Sequence, residues 1–446
     1  MNRKLSYLLA RRKPANRDWG SAHLSSAPAN RVWQHRTAMT LHRIEPVPAQ
    51  SLPVASGNGR ATRAGRPQLM RALNERLLLE HVRAAGPLSR AELARVSGLS
   101  KPTVALALAN LETDGLVKVA GLRTGFRGPA AVLYEVRPES GYVLGLDVGR
   151  EYLRGALADI GGTVCARFSR PAHAAGAAAR VGELTALAEE LVAAAGVTRS
   201  RVAQVVIGSP GVYDPARGAL TMAANVPGWE SPKVLMDLQR SLGPTTIVEN
   251  DIDLAALAER DMGHGRDVRN FCFVSVGTGI GMGLVIDGQL HRGAHGAAGE
   301  IAYLPLAGRG VSTAQARRHG LLETVASASA VVKAARSHGI KASSARHVFS
   351  AAARGELAAA SVVDEEVGLV ARAVSSVVAV VDPELVVLGG GIGQAPGFAE
   401  AVAAELERLV PFVPDVRVSA LGQDAVVDGS LVLGLERAWQ HVLDRG

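Results

Sequence analysis

Six side chains between residues 100 and 127 carry the chemistry of nucleic-acid contact. Ser100, Lys101, Thr103 and Asn110 lie within GLSKPTVALALANL, and Arg123 and Arg127 within GLRTGFRGPAA. Hydroxyl, ammonium and amide groups bind phosphate oxygens or base edges, and guanidinium groups enter narrow minor grooves. The neighbouring Ala105, Leu106 and Ala107 cannot hydrogen-bond a base, although they can touch a thymine methyl. With so few polar groups beside them, the two arginines are expected to carry much of the affinity, in an A·T-rich minor groove.

Two short helices are expected to position this set. Leu93 and Val96 are spaced to face a core in the first, which Gly98 ends. Ser100 is placed as an N-cap, with Pro102 in the first turn, where a missing N–H is harmless. Val104, Leu108 and Leu111 recur at helical spacing in the second. Asp114-Gly115 stops it, a strand follows to Val119, and VLYEV at 132–136 alternates like a returning strand. An ordinary αα-hairpin has the same two helices, but the basic, Gly-rich hairpin after them favours a winged helix-turn-helix. An amphipathic helix over about 68–85, with Leu69, Leu73, Leu77 and Leu78, completes a three-helix core. The DNA-binding domain is thus expected over 66–137.

The charge is divided in the same way. Residues 1–137 hold 22 of the 49 Lys+Arg and only 8 of the 41 Asp+Glu, so the rest of the chain is net acidic. That is the footprint of a nucleic-acid-binding part joined to a larger domain of another purpose. Residues 1–65 are basic, lack periodicity and lack the apolar stretch of a secretory signal, and read as a disordered extension. A backbone-contacting arm, or a true start at Met39 or Met70, is an alternative. No apolar run reaches a membrane span. The two cysteines, Cys165 and Cys272, suggest neither a disulfide framework nor a cysteine metal cluster, so a cytoplasmic protein is expected.

From Gly141 strands and helices alternate. YVLGLDVG (142–149) runs into a Gly turn and further strands, and VAQVVIGSPGVYD (202–214) is a buried strand ending in a Gly-Pro loop. FCFVSVGTGIGMGLVIDGQL (271–290) repeats the opening scheme, and a later strand ends at Gly389-Gly390-Gly391. Two such halves predict a duplicated α/β fold with a cleft between lobes. Glycine loops at strand ends can wrap phosphate with backbone N–H groups, or can simply serve tight turns.

Eight segments in order make the pattern specific: LGLDVG at 144–149, IGSPGVYD at 207–214, NVPGW at 225–229, ENDIDLAALAE at 249–259, GTGIGMGLV at 277–285, GAHGAAGEIAY at 293–303, LLETVAS at 321–327 and VVLGGGI at 386–392. Residues 141–446 resemble the ROK family of repressors and sugar kinases. The whole from about residue 68 resembles a ROK transcriptional regulator. The resemblance implies an α/β fold: an N-terminal winged helix-turn-helix followed by a duplicated actin/hexokinase-like two-lobed domain. It also implies four sugar-binding residues, Asn250, Asp251, Glu300 and Glu323; in the kinases Asp251 would be the base accepting the sugar hydroxyl proton. The competing reading is that Asn250 and Asp251 only cap the helix that follows.

Two departures bear on activity. The family's kinases read Asp-x-Gly-Gly-Thr in the first phosphate loop, whereas this chain has Asp147-Val148-Gly149-Arg150-Glu151. A carboxylate and a bulky side chain where phosphate should sit oppose nucleotide binding, so no catalytic residue and no cofactor are expected. A zinc site of the family type needs a His and a Cys cluster. Tyr303 holds the His place, Ala314, Ala316 and Leu321 fall near the Cys places, and no metal is expected. His291, His295 and His319 read as ordinary surface or hinge residues. The expectation is a sequence-specific repressor of carbohydrate genes. Its partners would be operator DNA, a sugar or sugar-derivative effector and a second copy in a homodimer or homotetramer. An ATP-dependent hexose kinase with an appended DNA-binding domain is the alternative, and a regulator with a protein effector a third.

Overall fold

The computed structural model describes residues 65–124, 130–174, 176–214, 217–223, 226–306 and 313–444. They form two compact units. One holds residues 65–142, 158–164 and 436–444, and the other residues 143–157 and 165–435.

The first unit contains helices α1 (Gly65–Ala85), α2 (Arg90–Ser97) and α3 (Lys101–Thr113). Its sheet is ordered β1-β3-β2, from strands β1 (Leu88–Ser89), β2 (Val117–Arg123) and β3 (Ala131–Val136). Local chemistry sets each boundary. Ser89 caps α2 in a reciprocal box: its hydroxyl accepts from the Glu92 amide at 3.3 Å while the Glu92 carboxylate accepts from the Ser89 amide at 2.9 Å. Gly98 ends α2 in the left-handed region at φ +70°. Ser100 caps α3 by accepting from the Thr103 amide, and Pro102 lies in its first turn, as expected. The core packs Leu78, Leu79 and Val82 of α1 on Leu93, Val104, Leu108, Leu111 and Tyr134. Three expected placements are corrected. Leu73 and Val96 are 48% and 46% exposed, whereas Ala107, expected to face outward, is buried. Apolar spacing located the helices, but packing against two neighbours chose the buried line. In the same unit the Trp439 indole donates to the Ile160 carbonyl at 3.1 Å, and the Arg83 guanidinium lies 5.1 Å over its ring.

Two five-stranded sheets follow, most of whose residues belong to the second unit. The first takes β4 (Tyr142–Val148), β5 (Tyr152–Asp159), β6 (Val164–Pro171), β7 (Val202–Ser209) and β10 (Thr246–Asn250) in the order β10-β7-β4-β5-β6. A small ladder of β8 (Val212–Asp214) and β9 (Ala219–Thr221) accompanies it. The second takes β11 (Phe271–Val276), β12 (Ile280–Ile286), β13 (Gln289–Leu290), β14 (Leu385–Gly389) and β15 (Asp415–Val418) in the order β13-β12-β11-β14-β15. Read from the far edge, the two orders coincide: three strands consecutive in sequence, then two reached by crossovers. The duplication seen in the sequence is therefore a duplication of sheet topology. β7–β10, β11–β14 and β14–β15 are parallel, and β4 and β14 are buried along their whole length, as strands covered on both faces must be.

Helices α4 (Ala177–Ala194), α5 (Pro232–Leu242) and α6 (Asp251–Met262) belong to the first half. α7 (Thr313–His319), α8 (Ala328–Ser337), α9 (Ala345–Ala353), α10 (Leu357–Val381), α11 (Gly390–Gly393), α12 (Phe398–Leu406) and α13 (Ala425–Asp444) follow. Near the C-terminal end of α6, Glu259 is fully buried. One of its oxygens accepts from the Ser419 hydroxyl at 2.6 Å and the Ala420 amide at 3.0 Å, and the other from the His264 amide at 2.9 Å. It thereby holds the segment between β15 and α13. No described helix is long and apolar enough to cross a membrane.

Candidate functional site

The end of β10 and the start of α6 deliver Asn250 and Asp251 together. Asn250 is the N-cap: its oxygen accepts from the Ile252 and Asp253 amides at 2.9 and 3.0 Å, and its NH2 donates to the Gly211 carbonyl at 3.1 Å. Its main occupation is thus structural, and it fixes the α6 start against the loop after β7. Asp251 is different. One of its oxygens accepts from the Ile252 amide at 2.9 Å. Burial, with the nearby carboxylates of Asp147 and Glu300, pushes it up to about 7.

The second half contributes Glu300 and Glu323. Burial raises both, and the Glu323 charge raises Glu300 further. Glu323 accepts from the Ile280 amide at 3.3 Å and lies where a side chain on Gly279 would stand, 2.4 Å from an ideal Cβ. Gly279 therefore admits the carboxylate. Burial raises the phenol of Tyr303, and Glu300, Glu323 and Glu230 raise it further. Asp251, Glu300 and Glu323 thus converge from both halves. Two more acids join them that the sequence reading did not single out. Asp147 is buried, and Asp253, 3% exposed, is pushed up to about 8 by burial and the Glu249 charge. Glu249 is itself held by Arg292, at 2.9 and 2.6 Å.

The first glycine loop is a tight turn between β4 and β5. Arg150 and Glu151 are exposed, and an ideal Cβ on Gly149 would lie 2.4 Å from the Tyr152 carbonyl oxygen. Arg154 extends from β5 to Asp147 at 3.2 Å, donates to Gln423 at 2.8 Å and lies 5.4 Å over the Tyr152 ring. Burial still holds Asp147 up at about 6 in the presence of this cation. In the second half, Gly277 and Gly390 pack backbone on backbone. An ideal Cβ on Gly277 would lie 3.3 Å from the Gly391 amide, and one on Gly390, at φ +76°, 2.4 Å from the Val276 carbonyl. Among the described residues no group of three or more His, Cys, Asp and Glu is arranged to hold a metal. Cys165 is exposed and Cys272 is buried in β11. His319 lies near Glu323 and, with the Ile280 amide, offsets part of the increase that burial causes in its carboxyl.

In the first unit Ser100, Lys101 and Thr103 gather at the N-terminus of α3. The Ser100 and Thr103 hydroxyls are 2.8 Å apart and hydrogen-bonded, and Lys101 is exposed. Asn110 departs from the expectation of an outward amide: its NH2 donates to Glu75 of α1 at 2.5 Å. Arg123 pairs with Glu92 at 2.6 Å, and the hydrogen bonds from Ser89, joined by this one, hold Glu92 down at about 2. Arg127 lies outside the described residues.

Residues 143–437 match the model of the ROK family, about two thirds of the chain. The chain belongs to the ROK family. Residues 72–118 match a winged helix-turn-helix DNA-binding model. Relatives of this ROK protein include both enzymes and repressors. A glucokinase of Halalkalibacterium halodurans is 28% identical over 312 residues, 65% of this chain and 93% of the relative. A xylose repressor of Bacillus subtilis is 26% identical over 265 residues, 59% of this chain and 68% of the relative. Among solved structures, a ROK family transcriptional regulator homologous to the E. coli MLC protein superposes with a TM-score of 0.68 at 23% identity, covering 84% of this chain and 98% of that one. A ROK hexokinase from Thermus thermophilus gives 0.56 at 28% identity, covering 68% and 99%. The regulator's match extends over more of the chain than the ROK domain alone.

Proposed function

We propose that this ROK protein is a sequence-specific transcriptional repressor of carbohydrate genes, released from its operator by a sugar or sugar derivative bound among Asp251, Glu300 and Glu323. The observation that carries the reading is a contrast within one chain. A winged helix-turn-helix precedes a ROK domain in which three carboxylates converge, while at the turn after β4 Asp147 is paired with Arg154. Crowded carboxylates are unfavourable in an empty cleft, and sugar hydroxyls can donate to them. The effector acts by binding one arrangement of the domain better than the other. The protein works as a cytoplasmic homodimer or homotetramer, matching paired half-sites. It carries out no phosphoryl transfer, because that chemistry depends on positioning every charge around the nucleotide.

A mobility shift with a panel of sugars, wild type against Asp251→Ala, tests this. The variant should bind operator without ligand and fail to let go when sugar is added. Release of both proteins at the same sugar concentration sinks the reading. The kinase alternative draws on the intact Gly277–Gly281 turn, on Asp251 held near neutrality, and on relatives named glucokinase. A coupled assay of ADP formation with hexoses addresses it, and phosphorylation that disappears in Asp251→Asn would establish it instead.

A further inference from the structure

The outward face of α3 is almost devoid of hydrogen-bonding groups. Pro102, Ala105, Leu106 and Ala109 recur at helical spacing on the side away from Val104, Leu108 and Leu111, and Leu106 is 56% exposed. The polar residues that could have read bases beside it are committed elsewhere. Asn110 donates to Glu75, and the Thr103 hydroxyl bonds to that of Ser100, which caps the helix. Lys101 remains, but an ammonium at a helix start is a phosphate ligand as readily as a base ligand. The occupant of this face is a nucleic acid: the segment lies in the winged helix-turn-helix match, and residues 1–137 hold 22 Lys+Arg against 8 Asp+Glu.

We infer that Leu106 is a specificity-determining residue that reads thymine through its C5-methyl group in the major groove. The inference rests on the DNA-binding function proposed above. Thymine alone of the four bases presents a methyl there, so an isolated branched apolar side chain on the recognition helix discriminates T from C without a hydrogen bond. Discrimination of this kind is weak per contact and needs close packing. A single Leu106 therefore reads one or two thymines in each half-site, and the other positions are left to the wing and to duplex shape.

The test begins by selecting duplexes from a random pool with the full-length protein. Each thymine of the selected site is then replaced in turn by uracil, which removes only the methyl, and affinities are measured for wild type and Leu106→Ala. At one or two positions uracil should weaken the wild type about fourfold, the loss expected for one buried methyl-sized group. Leu106→Ala should be weakened to a similar degree on the thymine duplex and be indifferent to uracil at those positions. Because Leu106 is exposed, its truncation should leave the thermal midpoint in place, separating lost contact from lost folding. Equal uracil losses in both proteins, or none at any thymine, overturn the inference while leaving DNA binding intact. Failure of the wild type to retain any duplex overturns the DNA-binding reading itself.

Discussion

Replacing Asp251 by Asn should make the sugar-free protein more stable, and more so at alkaline pH. Asp251 has an ordinary carboxyl value of 3.8 and is pushed up to about 7 in the folded chain. The folded state therefore holds a proton more tightly than the unfolded chain. Between roughly pH 4 and pH 7 stability falls as pH rises, and above that window the destabilisation is complete. A displacement of that size corresponds to about 4 kcal/mol. The group is partly open to water, and its neighbours relax when it is neutralised, so about 1–2 kcal/mol is the realistic gain. For a unit of this size that is an increase of about 2–4 °C in unfolding midpoint. The Asn side chain keeps an oxygen for the Ile252 amide, so the cap is retained. Thermal unfolding of the full chain at pH 8 and pH 4 reads the effect: a clear increase at pH 8 that shrinks toward zero at pH 4. An equal or lower midpoint at pH 8, or an increase independent of pH, refutes the claim that these carboxylates are held together against their own repulsion.

Two further outcomes follow from other contacts. Arg154→Met leaves Asp147 buried without its cation and should reduce stability at pH 8 by about 3 kcal/mol in urea unfolding. Part of this should return on acidification as Asp147 takes up a proton, and adding Asp147→Asn should restore most of it; a double variant no better than Arg154→Met contradicts the pairing. Ser89→Ala removes the α2 cap and should lower stability by about 1 kcal/mol near neutral pH. Because Glu92 is held down at about 2, the stabilisation it provides is present above pH 4.5 and is lost on acidification toward 2. In Ser89→Ala this acid-side loss should shrink, and a full-sized acid transition there would mean that Arg123 alone sustains it.

The elements legible in the sequence were those fixed by local chemistry. Gly98, Ser100 and Pro102 each have a conformational reason to stand where they do, and all three bound the expected helices. The sheet duplication was legible because the strand–turn–strand opening occurs twice. What escaped depended on contacts distant in the chain. Leu73 and Val96 have core-like spacing but face solvent, because two neighbouring helices decide which line is covered. Asn110 looked available for DNA until α1 brought Glu75 to it, 35 residues away. Arg154 lies seven residues beyond Asp147 across a tight turn, and strand alternation could have placed both on one face. Asp253 was hidden by its place in an ordinary first helical turn, where an acid is expected as a dipole partner.

The Glu259 clasp gives α6 a mechanical role. Twelve helical residues span about 18 Å. One end of that rod carries Asp251, and the other is fastened through a single buried carboxylate to residues 419 and 420. A hydrogen-bonded helix transmits displacement along its axis with little compression. The α6 axis therefore links the Asp251 end to the strap, and the strap lies a few residues before α13.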